Sequence, residues 1–203
     1  MMKLSSIYPL TRKAAPLIII AILAFVAVPL DYRNYNRSLN QDTVSKTNLA
    51  DIVYASDIAR NVYQSVSQSS YTNFVREFSE IGTKLYGTPG NVETRNWIVD
   101  TLPNVTNNKV IGEIVGSHNN VVGKLQGSSH RISPAIMIGA HYDTISISPG
   151  ANDDGSGVAT TLEIARVLSA YEWPLDIYFG FWNYEESGLF GSSEMATQFR
   201  DDE

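Results

Sequence analysis

The 203-residue sequence contains no cysteine, so it has neither a disulfide framework nor a thiolate metal site, and any metal ligands have to come from His, Asp and Glu. It also lacks a cluster of Lys or Arg, and its formal net charge is -6. This balance argues against a nucleic-acid partner, which requires positive charge opposite the phosphates. With 43% hydrophobic and 18% charged residues, the composition is typical of a folded protein, and the length accommodates one core domain plus an extension.

An unbroken apolar stretch at residues 14–30 follows the basic residues Lys3, Arg12 and Lys13. Its 17 residues lie at the short end of the roughly 17–25 that cross a bilayer, and they exceed the core of a signal peptide, which is about 7–15 residues. We therefore predict an uncleaved transmembrane anchor with the basic side in the cytoplasm. The alternatives are a cleaved signal peptide, which would make the protein secreted, and a buried core helix.

The anchor sets the predicted domain organisation. Residues 1–13 form a cytoplasmic N-terminus, residues 14–30 the anchor, and residues 31–70 a polar juxtamembrane linker with a helix. Residues 71–203 then form the main domain. With this orientation, the main domain is periplasmic, extracellular or lumenal.

Hydrophobic periodicity predicts an α/β fold with a mixed, mostly parallel sheet and helices on both faces. An apolar strand, a helix and a second apolar strand follow one another, which indicates a parallel pair joined by a right-handed crossover. Two earlier strands separated by a polar turn indicate an antiparallel hairpin. The predicted helices are 51–67, 71–81, 92–102 (ended by Pro103) and 156–170, and the predicted strands are 109–115, 121–126, 135–140 and 175–182.

Acidic residues and a histidine follow the two predicted parallel strands. His141 and Asp143 come directly after the first strand, Glu185 and Glu186 after the second, and Asp153 lies in a glycine-rich loop before the crossover helix. The carboxyl ends of parallel strands meet at one edge of the sheet, where open α/β folds place their sites. Taken singly, each motif is as common in a turn, a helix cap or a solvated face. Together they predict a metal site, because zinc binds imidazole nitrogen and carboxylate oxygen.

The motifs are those of a known family. The sequence reads GTPGN at 87–91, GAHYD at 139–143, GANDDGSG at 150–157 and EESGLFGS at 185–192. Over residues 71–193 it resembles the di-zinc aminopeptidases, which include bacterial secreted leucyl aminopeptidases, vacuolar aminopeptidase Y and, more distantly, glutamate carboxypeptidase II. Related amidohydrolases carry Asp-x-Lys-Gly in the third motif, so this motif favours the aminopeptidase branch.

The resemblance implies a zinc exopeptidase fold, two Zn²⁺ ions and a role for each site residue. His141 would bind one zinc, Asp153 would bridge both ions, and Glu186 would bind the other. Glu185 would be the general base, and Asp143 would orient His141. The implied activity is that of a hydrolase, a metallopeptidase that removes N-terminal residues from peptides.

The resemblance also implies features that lie elsewhere in the chain. It implies a cis peptide bond between Asp153 and Asp154. The family has a further Asp and a further His well after the Glu pair, and this chain ends 17 residues after Glu186. We therefore expect the N-terminal portion of a longer catalytic domain, incomplete at its C-terminus, with a complementing C-terminal fragment as a possible partner.

Three functions stay open on the sequence alone. The first is the zinc aminopeptidase just described, which acts on peptide substrates outside the membrane. The second is a catalytically inactive, membrane-tethered fragment with a binding role. The third is a single-zinc transferase of the glutaminyl-cyclase type, which the GANDDGSG motif at 150–157 disfavours.

Overall fold

The computed structural model describes residues 49–128 and 135–201, together with a two-residue strand, β1, at Ile18–Ile19. The predicted anchor at residues 14–30 lies outside the described residues apart from β1. Among the described residues, no helix has both the length and the hydropathy that a bilayer-spanning segment needs. The described residues fall into two compact units: the first contains residues 49–66, and the second contains β1 and the residues from Ser67 onward.

The first unit contains one described helix, α1, at Leu49–Gln64. This confirms the helix predicted from the spacing of its apolar residues, although it ends three residues early. At its C-terminal end, the Ser65 hydroxyl and the Ser65 backbone N–H both donate to the carbonyl of Asn61, at 2.7 Å and 3.0 Å. A serine that bonds back to the preceding turn in this way competes with continued helix formation.

The second unit begins with helices α2, at Gln68–Glu80, and α3, at Pro89–Val105. The Ser67 hydroxyl caps α2 by accepting from the Ser70 N–H at 3.2 Å, which satisfies one of the free N–H groups of the first turn. Pro89 suits the first turn of α3, where its missing N–H has no partner to lose. The prediction that Pro103 ends α3 is wrong. The helix continues to Val105, because a proline this close to the C-terminus removes a single hydrogen bond and the Thr106 N–H still reaches the carbonyl of Leu102 at 3.2 Å.

Over the described residues, the sheet has five strands in the order β1-β4-β5-β3-β2. The further strands are β2 at Gly112–Val115, β3 at Asn120–Leu125, β4 at Ile136–His141 and β5 at Ile177–Trp182. β4 runs parallel to both β1 and β5, whereas β3 runs antiparallel to β2 and β5. The predicted mixed sheet, its hairpin and its parallel pair are therefore confirmed.

Helices cover both faces of the sheet. Helix α4, at Gly155–Leu168, connects β4 to β5 and packs with α2 and α3 on one face, whereas α5, at Phe190–Asp201, packs on the other. Alternation along β5 separates the two cores, because Phe179 and Phe181 face the first and Tyr178 faces the second. The second core is smaller; its fully buried or nearly buried members are Val115, Val122, Met137, Tyr178, Met195 and Phe199.

Candidate metal centre

The sheet brings the predicted site residues to one edge. β4 and β5 pair in parallel register, with His141 opposite Trp182 at their carboxyl ends. His141 is thus the last residue of β4, and Glu185 follows the end of β5 by three residues. This is the edge at which open α/β sheets place ligands and catalytic groups.

Three of the predicted residues converge on a single point. One ligand atom each from His141, Asp153 and Glu186 lies within 4.8 Å of the other two, the one such group of three among the described residues. Nε2 of His141 is 3.0 Å from Oδ1 of Asp153. These side chains come from β4, from the loop before α4 and from the turn after β5, so they meet only in the folded chain.

The hydrogen bonds of His141 leave one ring nitrogen directed at this group. Nδ1 lies 3.1 Å from the backbone carbonyl oxygen of Asp143 and 3.5 Å from its Oδ1. A carbonyl oxygen can only accept, so Nδ1 carries the hydrogen and donates it. In the neutral ring this leaves the Nε2 lone pair facing Asp153, which is the arrangement of a metal-binding histidine.

Asp143 does more than the sequence indicates. Its side chain is 1% exposed, and its two carboxylate oxygens accept the backbone N–H groups of Glu185 at 3.0 Å and Glu186 at 3.1 Å. One buried carboxylate therefore connects the end of β4 to the turn that carries both glutamates.

Glu185 stands beside the three converging residues without joining them. Its Oε2 is 3.8 Å from Nε2 of His141, and its side chain is partly exposed. Its carbonyl accepts the N–H groups of Gly188 at 2.8 Å and Leu189 at 2.9 Å, so the chain turns tightly just after the glutamate pair. Gly188 has a φ of +134°, which only glycine adopts readily.

The adjacent aspartates Asp153 and Asp154 have different environments: the first is exposed to solvent, and the second caps a helix. The Asp153 side chain is 73% exposed and faces His141. Asp154 instead caps helix α4, since its Oδ1 accepts the Gly157 N–H at 2.9 Å, and its Oδ2 lies 3.4 Å from the His141 N–H. The peptide bond between the two is cis, as the resemblance implies.

The charges of the site favour a cation. Burial by itself lowers the pKa of His141, but the hydrogen bond with Asp143 and the negative charges of Asp154 and Glu185 outweigh it and raise that pKa to about 9. Burial, together with the charge of Asp153, raises the pKa of Glu186. A set of acids that holds a proton on an imidazole this strongly also attracts a metal ion, which competes with that proton.

Comparison with known proteins matches this part of the chain to one family. Residues 120–203 match the model of peptidase family M28. We refer to this matched stretch as the M28 region. The M28 region contains His141, Asp143, Asp153 and both glutamates, whereas α2 and α3 precede it.

The chain is similar to aminopeptidases in sequence and to a solved structure in fold. Aminopeptidase YwaD of Bacillus subtilis is 44% identical over 62 residues, which cover 30% of this chain and 14% of YwaD. Leucine aminopeptidase 1 of Ajellomyces capsulatus is 32% identical over 111 residues, covering 52% of this chain and 24% of that protein. Among solved structures, LapB from Legionella pneumophila superposes with a TM-score of 0.64 at 25% identity, covering 70% of this chain and 42% of LapB. The chain thus matches less than half the length of each of these proteins, and the part that superposes on LapB shares its fold.

The sequence alone does not reveal the residues that hold the candidate metal centre in place through hydrogen bonds. For Asp154, the sequence suggests a cis peptide bond and a turn or helix cap, but not the contact with the His141 N–H. Lys84, Asn91 and Asn183 are buried and polar, yet nothing in their local sequence distinguishes them from surface residues. Asn91 closes the GTPGN motif, which was a signal that could have drawn attention to it.

Proposed function

We propose that the chain carries the metal centre of a zinc-dependent peptidase, and that its activity is that of a di-zinc aminopeptidase removing N-terminal residues from peptides. The observation that supports this most is the convergence of His141, Asp153 and Glu186, with the carboxylate of Glu185 beside them. The match to family M28 and the aminopeptidase names of the relatives support the same conclusion.

The donor set fits zinc. One imidazole nitrogen and two carboxylates are borderline and hard ligands of the kind found in catalytic zinc sites, and the Nδ1 hydrogen bond of His141 supplies the orientation that such a ligand needs. His141 would hold one ion and Glu186 the other, with Asp153 shared between them. Zinc bound there would polarise a peptide carbonyl and make water more acidic.

Glu185 is the proton carrier of the proposed reaction. It makes no side-chain ion pair with a Lys or Arg among the described residues, and its partly exposed carboxylate lies 3.8 Å from His141. A carboxylate in that position can take a proton from the attacking water and deliver it to the leaving amine. Asp143 keeps Glu185 there by binding its backbone N–H.

A second function is favoured by the number of ligands. Within the described residues, His141 and Asp153 would hold one zinc, and Asp153 and Glu186 the other, which would give each ion two protein ligands. A catalytic zinc usually has three. The alternative is therefore a polypeptide that binds metal weakly and is either active only together with a partner chain or serves only to bind that partner.

Hydrolysis of an aminoacyl-nitroanilide with added zinc tests the proposal. We expect a zinc-dependent rate that Glu185→Gln reduces by at least about 100-fold, the usual contribution of general acid–base catalysis. Glu172→Gln is the matched control, since Glu172 is exposed in the loop between α4 and β5. A chain that binds zinc but shows the same rate as Glu185→Gln would support the binding function, and one without zinc affinity would contradict both.

The location of the protein is a separate proposal. The apolar stretch at residues 14–30 and its basic flank favour attachment to a membrane with the M28 region on the far side from the cytoplasm. Alkaline carbonate extraction of the expressed chain tests this. Release of full-length protein into the supernatant would contradict an anchor.

A further inference from the structure

The backbone pairing of β4 and β5 ends at His141 and Trp182, so His141 is held by the sheet, but the segments that carry the other two proposed ligands lie beyond it. Asp153 lies in the loop that follows β4, and Glu186 lies in the turn that follows β5. Metal ligands must be held to within a few tenths of an ångström, which free loops do not achieve. The distance between the two segments must therefore be set by contacts other than the sheet.

Lys84 is hydrogen-bonded to the loop after β4 at two points. Its Nζ donates to the carbonyl of Pro149 at 3.0 Å and to that of Gly82 at 2.5 Å. Its backbone N–H donates to Oγ1 of Thr144 at 2.7 Å, and its carbonyl accepts the Thr144 N–H at 3.3 Å. The exposed stretch between Thr144 and Pro149 is thus held at both ends by one residue.

Asn91 connects Lys84 to the turn after β5 through further hydrogen bonds. Its Nδ2 donates to the carbonyl of Lys84 at 3.1 Å and to Oδ1 of Asn183 at 2.8 Å, while Nδ2 of Asn183 returns a bond of 3.2 Å to Oδ1 of Asn91. Oδ1 of Asn183 also accepts the Tyr184 N–H at 3.0 Å. Asn183 is the first residue after β5, so this pair holds the start of the glutamate turn.

All three residues are buried, and Lys84 is 0% exposed. Its ammonium lies 4.0 Å from the centre of the Phe78 ring, and its N–H groups go to backbone carbonyls. Burying an ammonium and two amides costs free energy that an apolar side chain of the same volume would not. A cost of this kind is characteristic of polar networks that specify one arrangement of the chain.

We propose that Lys84, Asn91 and Asn183 form a buried polar bridge that fixes the loop after β4 relative to the turn after β5, and so sets the spacing of the metal ligands. This proposal rests on the proposed function for its metal-binding consequence. Lys84 and Asn91 lie upstream of the region that matches family M28, on the segment between α2 and α3 and on α3. They are positioning residues, because neither contacts the ligand group.

The test compares Lys84→Met with two controls. Lys84→Met keeps an unbranched apolar side chain of similar length and removes the ammonium, which lies over Phe78. Lys109→Met removes a similar bond, from Nζ to the carbonyl of Ser169 at 2.6 Å, away from the site. Val110→Ala destabilises the core without touching the bridge, since Val110 is fully buried.

Two readouts are measured on each full-length variant. The first is the affinity for Co²⁺ and its visible absorption, which reports coordination geometry. The second is amide hydrogen exchange at residues 145–149 and 184–189 without metal. We expect Lys84→Met to weaken Co²⁺ binding about 10–100-fold, as for other residues that support ligands, to change the spectrum, and to speed exchange in both segments.

A rescue arm separates the lost ammonium from lost packing. The chain has no cysteine, so 2-bromoethylamine alkylates the unfolded Lys84→Cys variant at position 84 alone. After refolding, the new side chain carries an ammonium where the lysine had one. We expect it to restore slow exchange and tight Co²⁺ binding. If Lys84→Met behaves like Lys109→Met, or changes no more than Val110→Ala, the bridge is refuted.

The outcomes also separate the two proposals. If the unaltered protein binds no Co²⁺, the proposed function fails, and hydrogen exchange still decides the bridge. Faster exchange in both segments of Lys84→Met would then support it, and unchanged exchange would refute it.

Discussion

Replacing Asp143 by Asn tests whether one buried carboxylate holds the glutamate turn. The carboxylate accepts two backbone N–H groups, from Glu185 at 3.0 Å and Glu186 at 3.1 Å. An amide of the same size offers one oxygen, so one of these N–H groups must face an NH₂ group. The carboxylate also lies 3.5 Å from Nδ1 of His141, but the shorter contact of that nitrogen is with the Asp143 backbone carbonyl, which the substitution leaves in place.

The magnitude follows from these contacts. A hydrogen bond to a charged acceptor contributes about 1.5–3 kcal/mol, and a buried donor without a partner costs about 1–3 kcal/mol. Removing a negative charge near Asp153 and Glu186 recovers part of this. We therefore expect Asp143→Asn to lower the free energy of unfolding by about 2–4 kcal/mol and to weaken zinc binding about 10–100-fold.

Urea unfolding of the metal-free protein and zinc titration against a competing chelator measure the two effects. Asp176→Asn is the matched control, because Asp176 also accepts a backbone N–H, from Gly127 at 2.7 Å, and precedes the amino end of β5, opposite the end with the proposed ligands. It should lose stability and keep its zinc affinity. If Asp143→Asn stays within about 0.5 kcal/mol of the unaltered protein, the range of an ordinary surface substitution, and binds zinc equally well, the reasoning is wrong.

Four further predictions concern charge, backbone and core. The pKa of His141 is raised from 6.5 to about 9, so its protonation stabilises the metal-free fold fully below pH 6.5, and this contribution is lost as the pH rises through about 9. The free energy of unfolding in urea should therefore decline across this pH range, and His141→Gln should flatten the decline. An equal decline in that variant would contradict the assignment. Zinc competes with the same proton, so its affinity should rise with pH over that window, which titrations at several pH values will show. Gly157→Ala puts a Cβ against the Asp154 carboxylate and should cost about 1–3 kcal/mol by displacing a helix cap, measured by thermal unfolding; an unchanged melting temperature would mean that the cap is unimportant. Phe179→Ala removes a fully buried ring from β5 and should cost about 3–5 kcal/mol in urea unfolding, and a loss below about 1 kcal/mol would place that strand outside the core.

Much of the fold was predictable because its signals are local. The apolar alternation that includes Ile177, Phe179 and Phe181 predicted β5 and the face it buries. Helical spacing of Phe74 and Phe78 predicted α2. The end of α3 was not predictable in this way, since Pro103 marks a helix end from sequence alone but is tolerated in the last turn.

The candidate site also has a part that the sequence predicts and a part that it does not. His141 and the Glu pair could be proposed because they follow recognisable strands, and Asp153 because it stands in a glycine-rich motif. The supporting contacts could not. Lys84 meets Pro149 across 65 residues and Asn91 meets Asn183 across 92, and no periodicity links positions so far apart.

The sequence by itself determined which segments become strands and helices, and which side chains stand at the ends of β4 and β5, because both depend on patterns a few residues long. Only the tertiary structure decided that Asp143 accepts the N–H groups of Glu185 and Glu186, and that a buried lysine and two asparagines are hydrogen-bonded between the ends of β4 and β5, next to the segments that carry the proposed metal ligands. The physical reason is that a buried polar group must find partners wherever the packed chain supplies them. Its partners are therefore a property of the whole fold and not of its neighbours in sequence.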